Sequence, residues 1–124
     1  MNIRAFRPAD ETSVVALRNE CKLTRPWNDP HKDIARKLAV QPELFLVGTV
    51  DDEVMASVMA GYEGHRGWMN YLAVAPRHRG RGFGRALVEH VERLLRERGC
   101  PKVGLLARNS NKESISLGKR LIPD

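Results

Sequence analysis

Cysteine is scarce in this chain of 124 residues, which holds two, Cys21 and Cys100. Two isolated thiols exclude a disulfide framework, and no Cys or His pairing around them has the spacing of a zinc site. The four histidines (His31, His65, His78 and His90) are scattered, so no metal is expected. No apolar run approaches the ~18 residues of a membrane helix, and Met1-Asn2-Ile3-Arg4 does not begin a signal peptide. The expectation is a cytoplasmic protein without a membrane segment. Repeats, low-complexity tracts and Gly/Ser linkers are also lacking, so residues 1–124 read as one domain.

What the chain has in excess is positive charge. Lys and Arg number 21 against 15 Asp and Glu, a formal charge of +6. That balance favours an anionic partner, and where the arginines sit decides which. With 42% hydrophobic and 29% charged residues the composition is that of a folded domain.

The pattern along the chain predicts an α/β fold, or α+β, with a mixed sheet. Asn2–Phe6 reads as an edge strand. Asp10 stands as N-cap before a helix in which Val14, Leu17 and Cys21 recur at helical spacing. Arg25-Pro26-Trp27-Asn28-Asp29-Pro30 breaks it; Asp29 then caps a second helix with Pro30 at its first position and Ile34 and Leu38 on one face. Leu44–Val50, the alternating segment from Val54 to Gly61, and Trp68–Val74 predict a three-strand meander. A long helix follows, with Phe83, Leu87, Val91 and Leu94/Leu95 on one face and Glu89, Glu92 and Arg96 turned away, stopped by Gly99 and Pro101. Val103–Ala107 returns as a strand. A helical crossover makes it parallel to Trp68–Val74.

The chemistry concentrates between Ala75 and Leu87. There Arg77, Arg79, Arg81 and Arg85 and glycines 80, 82 and 84 lie between a strand end and a helix start. A helix N-terminus offers unpaired N–H groups and partial positive charge, the setting in which a phosphate binds best. Glycines let the backbone close on such an anion, and arginines add bidentate donors. It is not a P-loop, since no Gly-Lys-Ser/Thr follows, and Arg85 stands where a dinucleotide-binding G-x-G-x-x-G would end.

Arg79-Gly80-Arg81-Gly82-Phe83-Gly84 resembles the Q/R-x-x-G-x-G/A signature of the GNAT N-acetyltransferases, and Leu72-Ala73-Val74 with Pro76 resembles the strand before it. Arg25-Pro26-Trp27-Asn28, Gly64-His65-Arg66-Gly67 and Gly118-Lys119-Arg120-Leu121 are similar to the small bacterial YpeA-type members. The resemblance implies the order β-α-α-β-β-β-α-β, acetyl-CoA as donor and a primary amine as acceptor. It implies that Arg79, Gly80, Arg81, Gly82, Phe83, Gly84 and Arg85 hold the pyrophosphate. Backbone groups of Leu72, Ala73 and Val74 would bond the pantetheine arm where their strand splays from its parallel neighbour, and Asn111 would also contact the donor.

The chain departs from the family in two places. The base glutamate of related ribosomal-protein acetyltransferases falls on Leu106, which cannot accept a proton. The family's fourth helix, with its acid tyrosine and Gly-Phe, is cut short: Asn111-Lys112-Glu113-Ser114-Ile115 begins it, and Ser116–Leu121 arrives at once as the last strand. Either this is a shortened member or residues are missing between Ile115 and Leu117, and the second is favoured, because a one-turn helix is too short to hold. Glu63 is then the candidate base, beside His65 at a turn before the cofactor strand; water or solvent is the alternative proton acceptor. Trp27 is expected either to line the acceptor pocket or to pack the first two helices together. Tyr62 and Tyr71 read as structural, and Met55, Met59 and Met69 as core.

Two other functions compete with acetyl transfer. One is a CoA-binding protein with little catalysis. The other is a nucleic-acid-binding module using Arg77–Arg85, which calls for interleaved stacking aromatics. Only Phe83 lies in that stripe, and its spacing to Leu87 points it inward. An open sheet edge near the C-terminus would let two copies pair.

Overall fold

The computed structural model describes residues 1–108 and 114–122, with the backbone alone for residues 106–108 and 114–118. The elements are β1 (Asn2–Ala5), α1 (Glu11–Glu20), α2 (Pro30–Leu38), β2 (Phe45–Val50), β3 (Glu53–Tyr62), β4 (Gly67–Val74), α3 (Phe83–Glu97), β5 (Lys102–Arg108) and β6 (Ser114–Arg120). The six strands lie in one sheet in chain order. Every neighbouring pair is antiparallel except β4 and β5, which α3 joins as a crossover.

The helices cover both faces of the sheet. Leu87, Val91 and Leu95 of α3 pack on Leu46, Ala56, Val58, Ala60, Met69 and Val103. Val14 of α1 and Ile34 of α2 pack on the other face with Phe45, Val47 and Met59, where the rings of Phe6 and Phe45 stack at 4.3 Å. Both faces of β3 are therefore buried, and its alternation sorts residues between two cores. Met55, Met59 and Met69 fill these interiors as expected.

Local chemistry sets several boundaries. The Asp29 carboxylate accepts from the N–H groups of His31 and Lys32 (2.9 and 3.4 Å), so α2 starts at Pro30 as its sequence predicts. Asp10 behaves differently. It makes no side-chain cap on α1; its carboxylate accepts from both Arg4 Nη atoms (2.7 and 2.9 Å) and from the Arg7 N–H (2.8 Å), tying β1 to the start of the helix. The Arg4 guanidinium, and then the Arg7 N–H, hold this carboxyl below its ordinary 3.8 against the opposing effect of burial. Glu92 is also corrected: it is buried and accepts from Lys119 Nζ at 2.8 Å, because β6 passes over that flank of α3.

At the C-terminal end all seven positions of β5 pair with β6, from Lys102 opposite Arg120 to Arg108 opposite Ser114. β6 runs from Ser114 to Arg120, and residues 109–113 lie between it and β5 along the chain. Ser114 and Ile115, expected in the start of a fourth helix, belong to β6 instead. Antiparallel pairing with β5 satisfies backbone groups that so short a helix would leave exposed.

Candidate functional site

Two irregularities in β4 open the sheet. Parallel pairing with β5 covers Gly67, Trp68 and Met69 and then stops, although both strands continue. On the other side, Ser57 opposes Ala73 and Met59 opposes Asn70, so Tyr71 and Leu72 share one partner position. That bulge sits on Tyr71, whose φ of +55° is left-handed, and it re-aims the strand. The β5-facing edge of Leu72, Ala73 and Val74 is thus left without a strand partner, the splay the resemblance implies.

Beside this edge lies a cleft of about 480 Å³, lined by Leu72, Ala73, Val74, Arg79, Gly80, Gly82, Phe83 and Gly84 together with Cys21, Leu23 and His78. Eight of the residues expected from the sequence come together there. Arg81 and Arg85 are exposed and do not line it, although Arg81 Nη1 lies 3.4 Å from His78 Nδ1. Asn111 lies outside the described residues. Phe83 does not point inward from the helix as its spacing predicts: it is half-buried, lines the cleft, and stacks on His78 at 5.7 Å. At the first helical position its side chain lies before the turn that α3 packs on the sheet.

Gly82 is the N-cap of α3 with φ +80°, and its carbonyl accepts from the Ala86 N–H at 3.0 Å. It has no side chain to cap the helix, and no acid stands in the first turn. The helix therefore presents its first N–H groups and the positive end of its dipole at the cleft. Gly80 has the same φ, and a Cβ at either glycine would meet nothing within 4 Å. The glycines thus keep clear a space in front of cationic groups, the shape and charge that an anionic diphosphate fits.

Arg79 is drawn back to the strand, Nε donating to the Val74 carbonyl at 3.2 Å and a guanidinium nitrogen lying 3.5 Å from Cys21 Sγ. The Cys21 thiol donates to the same carbonyl at 3.3 Å. Cys21 and Leu23 follow α1 and reach the cleft only through the tertiary packing. His78, in contrast, stands within the basic segment and was open to recognition there.

Glu63 is not brought to the cleft. It sits in the β3–β4 turn, where Oε1 accepts from the N–H groups of His65 and Arg66 (3.1 and 2.6 Å). That turn is at the opposite end of β4 from Leu72, about 17 Å along the strand. Glu63 therefore does not line the cleft, and its carboxylate is engaged within its own turn. Trp27 is 74% exposed, which removes helix–helix packing as its role. Cys21 and Cys100 are both free thiols. Among the described residues no three His, Cys, Asp or Glu side chains gather as metal ligands, and no helix is long and apolar enough to cross a membrane.

Comparison with known proteins agrees with this geometry. An acetyltransferase of Pectobacterium atrosepticum is 47% identical over 138 aligned positions, which span 100% of this chain and 98% of the relative. An alignment of 138 positions on 124 residues leaves at least 14 positions of the relative without a counterpart here. Among solved structures, Ard1 of Thermoplasma volcanium superposes with a TM-score of 0.74 at 30% identity, covering 90% of this chain and 74% of that one. An aminoglycoside 6'-N-acetyltransferase complexed with coenzyme A shares the fold at 17% identity, with a TM-score of 0.75 over 100% of this chain and 99% of that one. The model of the acetyltransferase (GNAT) family matches residues 12–121. With its cleft at the splayed β4 edge and its uncapped helix start, the chain belongs to the GNAT family and is an acyl-CoA-dependent acetyltransferase.

Proposed function

We propose that the chain transfers the acetyl group directly to a primary amine, of a protein N-terminus, a lysine or a small molecule, with no covalent enzyme intermediate. The observation that carries this reading is the meeting, in one cleft, of an uncapped helix N-terminus with the unpaired edge of Leu72–Val74. Acetyl-CoA supplies an activated thioester carbonyl when bound.

The chain's own residues then have separable tasks. The Gly80–Arg85 loop and first helical turn hold the diphosphate, with N–H groups doing the work and Arg81 and Arg85 adding charge from outside. Backbone groups of Leu72, Ala73 and Val74 align the extended arm and polarise the carbonyl through fixed peptide dipoles. The Val74 carbonyl is already occupied by Arg79 and Cys21, so the remaining backbone groups carry this contact. Holding the amine beside the carbonyl supplies most of the acceleration. Leu106 cannot act as base and Glu63 is remote, so the proton leaves to water. The domain works in the cytoplasm, and the outer edge of β6 is where a second copy would pair.

The test is calorimetric titration with acetyl-CoA, followed by thiol release with peptides bearing a free N-terminus, lysine peptides and small amines. Binding with an acetylated product supports the reading. Binding without product from any amine leaves a CoA-binding protein, and no binding by the folded chain removes the reading altogether.

A further inference from the structure

One interior cation has no hydrogen-bond acceptor. Arg18, on α1, is 1% exposed, yet Nε, Nη1 and Nη2 all lack a partner. Its guanidinium lies 4.3 Å from the centre of the Tyr71 ring and 5.7 Å from that of Phe45. Burial pulls its pKa down, and the fields of Tyr71 and Asp33 oppose that. Contact with aromatic faces offsets part of the cost of burial. Burying an ion without hydrogen-bond acceptors costs more than such contacts return. Packing alone therefore leaves this arginine uncompensated.

The guanidinium lines a small recess with Leu23, Thr24, Asn28, Asp33 and Tyr71. Thr24 Oγ1 is also buried without a partner. Asp33, three-quarters buried, accepts from the Tyr71 hydroxyl at 3.0 Å. Unsatisfied donors thus stand beside one carboxylate, a polarity that matches a molecule with an anionic group and an amine. The recess adjoins the cleft: Leu23 lines both, and Tyr71 is the bulged residue next to Leu72. Its place is at the end of the unpaired β4 edge away from the glycine loop, which is where the acetyl-transfer reading puts the thioester.

We propose that Arg18 and Thr24 form a carboxylate subsite for the acceptor, and that the amine acetylated by this chain belongs to an amino acid. The inference rests on the acetyl-transfer reading of the adjoining cleft. The recess, at about 10 Å³, holds a single water, so only a small anionic head suits it, and the α1–α2 connection must move outward to admit one. The first residues of that connection are held to α1, the Lys22 and Leu23 N–H groups donating to the Asn19 and Arg18 carbonyls (3.0 and 2.9 Å). Beyond Leu23 the bonds are local, from Arg25 Nη1 to the Lys22 carbonyl (2.9 Å) and from the Asn28 N–H to the Arg25 carbonyl (3.0 Å), so the movement falls on residues 24–28. The exposed Trp27 rides on it.

The experiment compares amino acids, β-alanine included, with the amines left by decarboxylating each, as acceptors for the wild type, Arg18→Met and Arg18→Lys. The wild type is expected to favour amino acids at least about 100-fold in kcat/KM, since a site built for a polar group rejects the analogue lacking it. Arg18→Met removes the preference by raising KM for the amino acid while KM for acetyl-CoA holds, and Arg18→Lys restores part of it. Amines accepted as well as amino acids, or a preference surviving in folded Arg18→Met, overturns the subsite. So does acetylation of peptides or plain amines with no amino acid turned over, which leaves the acetyltransferase reading intact. Failure to bind acetyl-CoA overturns both. Should Arg18→Met not fold, Thr24→Val and the wild-type comparison decide.

Discussion

Substituting Gly82 separates two jobs that the residue does in the structure. Its φ of +80° costs an L-residue roughly 1–2 kcal/mol, and a Cβ there meets no atom within 4 Å, so no clash adds to the strain. Gly82→Ala should lower Tm by roughly 3–8 °C for a chain of this size. Gly82→Trp carries the same backbone strain and also fills the space in front of the first α3 amides. A hydrogen bond to a charged group contributes about 1.5–3 kcal/mol, so displacing even one weakens acetyl-CoA binding by roughly 10- to 150-fold. Calorimetry on proteins shown by circular dichroism to be folded reads this directly. Gly82→Ala should bind with a modest loss and Gly82→Trp should show no measurable heat. A folded Gly82→Trp with wild-type affinity would mean that the glycines serve only the turn, and the assignment of the loop to the diphosphate would fall.

Other consequences are as specific. The Asp10 carboxyl is held below its ordinary value by Arg4, so its contribution is present above about pH 4 and is lost as pH falls through its folded pKa. Asp10→Asn should cost about 1.5–3 kcal/mol at neutral pH and flatten the acid limb of stability, read from urea midpoints between about pH 2.5 and 7; an unchanged limb refutes the pairing. Gly104 faces Trp68 across the β4–β5 pair, and a Cβ would lie 2.5 Å from the ring, so Gly104→Ala should destabilise by about 1–3 kcal/mol in thermal melts. Glu63→Gln should leave kcat and its pH profile within about twofold of wild type, because the carboxylate lies at the far end of β4; a large fall in kcat would restore it as the base. The intact mass of the native protein tests whether residues are missing between Ile115 and Leu117: a value near 14.0 kDa excludes that, and a larger one favours it.

The uncapped helix start behind the glycines of 80–84 was legible in the sequence because it is local: a strand end, a turn and a helix start adjoin along the chain. The helix over Phe83–Glu97 and the parallel pairing of β4 with β5 were legible for the same reason, since an amphipathic stripe and a crossover follow from residue spacing. Glu63 shows where spacing runs out. It precedes β4 by a few residues, yet a strand carries its two ends far apart, and the structure leaves it in the turn at the end away from the cleft. Asp10 looked like a helix cap until Arg4 arrived from β1, and Glu92 looked solvated until β6 brought Lys119 beside it. Arg18 gave no sign at all. An arginine in an exposed helical pattern and one sealed under two aromatic rings read alike in sequence, and only the packing of α1 on β2 and β4 decides its burial. The chain's own order thus determined the glycine–arginine loop and the strand beside it, whereas long-range contact alone determined the Arg18 recess, because its residues come from α1, α2, their connection and β4, which meet only when the sheet is covered.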